Sequence, residues 1–281
     1  MSILLIDSGN TRLKLGIIDD LQAEAAQGAQ NRPLITHAVA NNDIQGLRDW
    51  LAALPAPPRA ALGTNVAGAE RGAAIEAALA TYGCPLRWVQ AQAQAYGLTS
   101  RYARPEQLGA DRWVSMVGVL AGLAAQRRSV GPMPAFLLAS FGTATTLDTV
   151  SSEGVFEGGL ILPGPELMRL SLASGTANLP LAHGESQDFP TDTHQAITSG
   201  VAAAQAGAVV RQWLAGLRRY GDAPQVYAAG GGWQDVAAET KRLLAQAAAA
   251  LGRLPPEVTV IENPVLNGLA HLAANIKLGS P

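Results

Sequence analysis

Apolar and polar positions change period repeatedly along the chain. Ile3 to Ile6 is an unbroken apolar run, and Arg12 to Ile18 alternates, with Leu13, Leu15 and Ile17 on one face. A period of two predicts paired strands. From Asp43 to Leu54 the spacing lengthens to that of a helix through Ile44, Leu47 and Leu51, with Asn42 as the expected cap. A strand near Arg59–Leu62, an Ala-rich helix near Ala67–Tyr82 and a strand near Leu86–Val89 follow. The second half runs through strands at Ala135–Ala139, Thr145–Val150 and Val155–Leu162, then helices around Glu166–Ala173 and His194–Arg219. Gln225–Ala229 is a strand ending in Gly230-Gly231-Gly232, followed by an Ala-rich helix and a last strand, Val258–Ile261. Alternating strands and helices argue for a layered α/β fold.

Within that pattern one unit is used twice. Residues 4–16 read LLIDSGNTRLKLG, and residues 137–148 read LLASFGTATTLD. Each begins Leu-Leu, reaches a glycine, and returns along a second strand; Asp7 in the first copy is Ser140 in the second. The repeat is half a molecule long rather than a solenoid module. RRSVGPMP, with Ser129 to Pro134 at its core, breaks the periodicity, so domains are expected over 1–128 and 134–281. Whether the last helix packs back on the first domain is open at this level. Duplicated α/β domains of this kind are expected to bind a ligand in an interdomain cleft.

Composition narrows the classes. At 281 residues, 48% hydrophobic and 15% charged, the chain is expected to fold as a globular protein. A net charge of −2 offers neither a basic stripe for nucleic acid nor a polybasic patch for membrane. Cys84 is the single cysteine, so no intrachain disulfide or thiolate cluster is possible; it reads as a small buried hydrophobe. Asp7 interrupts the first apolar run too early for a signal peptide, and MVGVLAGLAA at 116–125 is about half a bilayer-spanning length. A cytoplasmic protein is expected.

The glycine turns carry the candidate chemistry. A glycine at a hairpin tip lets the backbone approach a bulky ligand, and flanking Asn and Thr add short donors. Asp7, closing its strand, is placed to hold a hydrated Mg²⁺. Two such turns could grip a triphosphate, although each could also be an ordinary hairpin. No segment matches G-x-x-x-x-G-K-[ST], and Gly230–Gly232 is not G-x-G-x-x-G. That run could pass beneath an adenine or ribose, or simply open a helix.

Asp7-Ser8-Gly9-Asn10-Thr11 with Lys14 and Gly16, Gly109-Ala110-Asp111-Arg112, Gly142-Thr143-Ala144-Thr145, and Gly158 to Gly164 together resemble type III pantothenate kinase, the family that includes the Bvg accessory factors. The motifs stand in the family's order and span nearly the whole chain. The resemblance implies duplicated actin-like ATPase (ribonuclease H-like) domains, a homodimer, and ATP-dependent phosphorylation of pantothenate, the first step of coenzyme A biosynthesis.

It also assigns roles. Asp111 is implied as general base for pantothenate's primary hydroxyl; on its own it would read as an acid at a helix start with a solvated neighbour. Tyr102, Gly109, Ala110, Asp111 and Arg112 are implied as the pantothenate site, with Thr193 reaching the substrate of the partner subunit. Tyr102 could equally be a packing aromatic, and Thr193 could cap its helix. Asp7, Ser8, Gly9, Asn10, Thr11, Arg12, Leu13 and Lys14, with Gly142, Thr143, Gly230 and Gly231, are implied to bind Mg·ATP. Lys14 could neutralise phosphate, although alternation puts it on an exposed strand face. His194 reads as a surface residue. At Ser140 the chain departs from the family, which usually has Asp there beside a potassium or ammonium ion. Serine keeps a hydroxyl ligand and drops the charge, so at this level activation by potassium or ammonium is an open question, with Asp148 on the return strand as the carboxylate that could compensate. Two other readings share these motifs: another small-molecule kinase of the same superfold, and a regulatory protein that keeps the fold without turnover, or beside it.

Overall fold

The computed structural model describes residues 2–19, 35–126 and 133–275. It divides into two compact units: Met1–Gly131 with Asn263–Pro281, and Pro132–Glu262. The segment expected to hold the domain boundary falls mostly on residues 127–132, outside the described residues.

Unit 1 is built on β1 (Ser2–Ser8), β2 (Arg12–Asp19), β3 (Ile35–Ala40), β4 (Ala60–Asn65) and β5 (Leu86–Trp88), in the order β3-β2-β1-β4-β5. β1 lies antiparallel to β2 and parallel to β4. As the central strand it is covered on both faces, which is why Ile3–Ile6 is continuous rather than alternating. The face bearing Leu4, Ile6, Leu13, Leu15 and Ile17 packs on α1 (Ile44–Ala52) and α2 (Ala69–Ala80) through Leu47, Leu51, Ile75 and Leu79. Cys84 is buried in this core, and burial pushes its thiol up to about 11, so it stays protonated. The cap of α1 is Asp43 rather than the expected Asn42: its Oδ1 accepts from the Gly46 amide at 2.8 Å. A shorter hairpin, β6 (Gln94–Ala95) and β7 (Leu98–Ser100), follows β5.

The opposite side of unit 1 carries α3 (Ala110–Gln126) and α7 (Pro264–Asn275). The apolar stretch at 116–125 lies within α3, with Met116, Val117, Val119, Leu120 and Leu123 buried. Gly118 and Gly268 let the two helices cross in backbone contact: a Cβ on Gly118 would stand 2.9 Å from the Gly268 nitrogen. With Leu266, Leu269 and Leu272 also buried, α7 groups with the first unit. The second unit runs to Glu262, and the last helix takes the alternative that the sequence left open, grouping with the first unit.

Unit 2 carries β8 (Phe136–Phe141), β9 (Ala144–Val150), β10 (Val155–Pro163), β11 (Gln225–Ala229) and β12 (Val258–Val260). They run β12-β11-β8-β9-β10, the same order as unit 1 when each strand is matched to its counterpart. The polarities also match: β8 and β9 form the antiparallel hairpin, and β11 joins β8 in parallel. One face packs on α5 (Thr193–Tyr220) and α6 (Trp233–Ala250) through Val209, Trp213, Val236 and Leu244. α4 (Pro165–Gly175) follows β10 directly. The duplication is thus a duplication of topology as well as of motif.

Candidate functional site

Asp7 and Asp111, 104 positions apart in the sequence, both belong to unit 1, and the charge of Asp111 bears on the Asp7 carboxyl. Asp7 is near the C-terminal end of β1, paired across to Lys14 on β2 and Thr64 on β4. It is 7% exposed. Burial raises its carboxyl, Lys14 pulls it back, the Asp111 charge raises it and the Thr64 hydroxyl lowers it, and the balance leaves it at about 6. The Thr64 hydroxyl donates to Asp7 Oδ1 at 3.4 Å, and Lys14 Nζ stands 3.7 Å from Oδ2. Lys14 is therefore not on a free exposed face as alternation implied. The register sets it against Asp7, where burial makes the ion pair matter.

Asp111 is in the first turn of α3, where the helix dipole favours an acid. The motif's glycine has a local reason: a Cβ on Gly109 would meet Asp111 Oδ1 at 2.5 Å. Gly109 thus lets the carboxylate fold back over the start of the helix. Arg112 is buried and donates from Nη1 to the Tyr102 hydroxyl at 3.3 Å, joining two residues implied to hold the substrate.

The turns themselves divide the glycines into two kinds. Gly9 donates to the Arg12 carbonyl and Gly142 to the Ala144 carbonyl, so both amides close their own hairpins instead of facing a ligand. Neither glycine has a positive φ, and a Cβ on either would meet the described residues only at 3.4 or 3.5 Å. No contact among the described residues therefore requires glycine at either tip. Asn10, Thr11, Arg12, Thr143 and Gly231 are exposed around these loops, whereas the Leu13 side chain is sealed in the core, leaving it only backbone to offer. Ser8 is fully buried, and its hydroxyl lacks a hydrogen-bond partner.

Gly164, Gly230 and Gly232 are packing glycines. A Cβ on Gly164 would collide with the Gly142 carbonyl, and one on Gly230 (φ +92°) with the Phe141 carbonyl. Gly232 N donates to the Phe141 carbonyl at 3.0 Å, and Gly164 N to the Thr143 carbonyl at 2.9 Å. Two loops of unit 2 therefore converge on the second turn, a convergence that G-G-G spacing alone could not indicate.

Ser140 is half-buried opposite Thr146, and Leu138 is opposite Asp148. Asp148 therefore stands on the same face as Ser140, one pair along, and is 1% exposed. Thr193 is exposed at the start of α5, but the cap is Asp192, whose carboxylate accepts from Gln195 N at 2.9 Å. His194 is exposed. Thr64 is the participant that motif reading missed; its signal was a threonine closing the apolar strand Ala60–Gly63.

For a metal, the first turn offers oxygen ligands. Among the described residues no three His, Cys, Asp or Glu side chains form a closed metal cluster. A carboxylate with a hydroxyl and a second carboxylate nearby fits Mg²⁺, which commonly takes one or two carboxylates together with phosphate and water. No described helix is long and apolar enough to cross a membrane.

A family description, Type III pantothenate kinase, matches residues 3–215. A type III pantothenate kinase of Bordetella petrii is 58% identical over 97% of both chains. One from Bordetella bronchiseptica is 56% identical over 97% of this chain and 98% of its own. Among solved structures, a protein of Sinorhizobium meliloti described as a 2-dehydro-3-deoxygalactonokinase superposes with a TM-score of 0.53 at 16% identity, covering 99% of this chain and 98% of that one. At that identity the likeness bears on fold alone, and the fold is that of the actin-like ATPases.

Proposed function

The chain belongs to the type III pantothenate kinase family, and from that premise we propose how its residues divide the work. It is a kinase that phosphorylates pantothenate with ATP at the first step of coenzyme A biosynthesis. The observation that carries the assignment of roles is the buried Asp7 carboxylate near the end of β1, with the charge of Asp111 acting on it.

Asp111 takes the proton of pantothenate's primary hydroxyl as that oxygen attacks phosphorus. Phosphoryl transfer asks the protein mainly for positioning and charge control, so one well-placed base is enough. Arg112, steadied by the Tyr102 hydroxyl, gives the anionic substrate a cation, and Gly109 and Ala110 shape the backbone beside it. Thr193 reaches pantothenate in the other protomer of a cytoplasmic homodimer.

Asp7, with Thr64 beside it, would hold Mg²⁺, which would supply positive charge against the polyphosphate. Lys14 keeps the Asp7 carboxylate oriented and partly ionised before the metal arrives. Residues Ser8 to Arg12 and the Gly142–Thr143 turn line the phosphates, and Gly231 passes beneath the nucleoside, with Gly230 holding the loop against β8. Ser140 and Thr146 offer hydroxyls to a monovalent cation, with Asp148 as the carboxylate on that face.

ADP release measured with pantothenate, and separately with hexoses, acetate and glycerol, tests the substrate. Turnover is expected with pantothenate alone. Equal or faster turnover of a sugar would move the chain to another kinase of this superfold. Absence of turnover on any of them, with nucleotide still bound, would favour a regulatory role.

A further inference from the structure

Beyond the residues that touch substrate, unit 2 contains a charged device behind its second turn. Glu166 and Asp235 lie in the first turns of α4 and α6, and each follows a loop that presses on the second turn, the first at Gly142 and Thr143 and the second at Phe141 just before them. Carboxylates suit helix starts. Left unpaired, however, two negative charges would stand behind a turn built for an anionic ligand. Arg169 joins them: its Nε donates to Glu166 Oε2 at 3.0 Å, and its Nη2 to Asp235 Oδ2 at 2.5 Å. The arginine side chain is 6% exposed, whereas Glu166 and Asp235 are 51% and 42% exposed. The guanidinium is thus the buried member, committed to its partners by the cost of leaving it unpaired. Its planar fork fixes both distance and angle between the helix starts. A Cβ on Gly232 would stand 3.2 Å from Pro165, so the two loops are already in contact where the fork closes behind them. From α5, fully buried Gln205 donates to the Pro163 carbonyl at 2.8 Å and holds the far side of the same loop.

We propose that Arg169 is a positioning residue for nucleotide binding: by tying the first turn of α4 to that of α6, it holds the Gly164 and Gly230–Gly232 loops against the Gly142–Thr143 turn. It touches no substrate. The proposal rests on the reading of that turn as a nucleotide-binding element. A gap of even an ångström in such a support is felt in ligand affinity, whereas loss of the arginine leaves two carboxylates that already reach water.

Steady-state kinetics of the full-length enzyme test it. Arg169→Met is expected to raise KM for ATP about tenfold and to leave KM for pantothenate within about twofold, with unfolding still cooperative. Arg169→Lys, which keeps the charge without the fork, should fall between. Unchanged KM for ATP, or a parallel rise in both KM values with a lowered melting temperature, overturns the proposal. Should Arg169→Met not fold, Asp235→Asn reads the same link from its half-exposed partner. A rise of about threefold in KM for ATP alone supports the proposal, and no change overturns it. Thr143→Val, measured alongside, separates the two levels. If it weakens ATP binding while the Arg169 variants do not, only the clamp fails; if neither variant changes ATP binding, the nucleotide reading of the turn falls and the clamp falls with it.

Discussion

The first and second turns stand on the same five-strand scaffold, with the same order and the same strand polarities, yet their electrostatics have diverged. In unit 1 a buried carboxylate closes the first strand, paired with a lysine and under the influence of a second carboxylate's charge. In unit 2 the matching position is Ser140, and charge has moved off the turn to Asp148 on the return strand and to the Arg169 fork behind the loops. The backbone sets where a ligand can approach; the charge placed at each strand end sets which part of it is received. A carboxylate in a partly dry site suits a divalent ion, while hydroxyls and backbone suit phosphate oxygens. Duplication supplied the geometry twice, and substitution specialised each copy.

The largest effect is expected where unit 1 alone carries the chemistry. Asp111→Asn should lower kcat by about two to four orders of magnitude while nucleotide binding and fold persist, because the amide keeps the shape and removes the base. Single-turnover phosphorylation with nucleotide affinity measured in parallel checks this. Near-normal turnover would take the base away from unit 1.

Asp7 gives a smaller effect of the opposite sign on stability. Its folded carboxyl, near 6, lies above the ordinary value of 3.8, so the folded state binds that proton more tightly than the unfolded state does. The associated stability is fully present below pH 3.8 and is lost as pH rises towards 6. At pH 7.5 the ionised side chain costs the ligand-free protein about 2–3 kcal/mol. Asp7→Asn should therefore raise the melting temperature at pH 7.5, with a smaller gain at pH 5, while activity is lost. Wild-type affinity for Mg²⁺-nucleotide should climb as pH passes through about 6. Thermal melts at both pH values decide it; an Asn variant that melts lower at pH 7.5 would mean that the Lys14 pair outweighs burial.

The smallest effect tests the contrast from the unit 2 side. Ser140→Asp should fold and turn over, and its activity should depend more steeply on potassium or ammonium, since a carboxylate adds charge-based attraction in a partly dry site. Potassium titrations of both proteins check it. Coincident curves would mean that Ser140 does not tune a cation site, or that Asp148 already supplies the charge.

Much of this protein was legible in its residues because the signals are local. Short apolar runs mark β1 and β8, and periods of two and of three to four mark β2 and α1, without reference to any partner. Position in a motif singles out Asp7, Gly9, Asp111 and Gly142 through the family resemblance, because each motif is a run of sequence neighbours. What the tertiary structure alone decided depends on who comes to stand opposite whom. That Asp7 stands beside Thr64 and under the charge of Asp111 is a matter of strand register and helix placement. So is the pairing that turned Lys14 from an outward residue into a counter-ion. The return of α7 to unit 1 hinges on Gly118 and Gly268, whose small size creates no periodic signal but permits backbone contact at one crossing. Capping went to Asp43 and Asp192 rather than to their neighbours, because φ and ψ at the helix entry select which side chain can reach the free amides. Arg169, an ordinary arginine in an amphipathic stretch, becomes a fork only because α6 delivers Asp235 from 66 positions away. Local chemistry reads along the chain, but electrostatics depends on distances through space, and only the folded chain sets those.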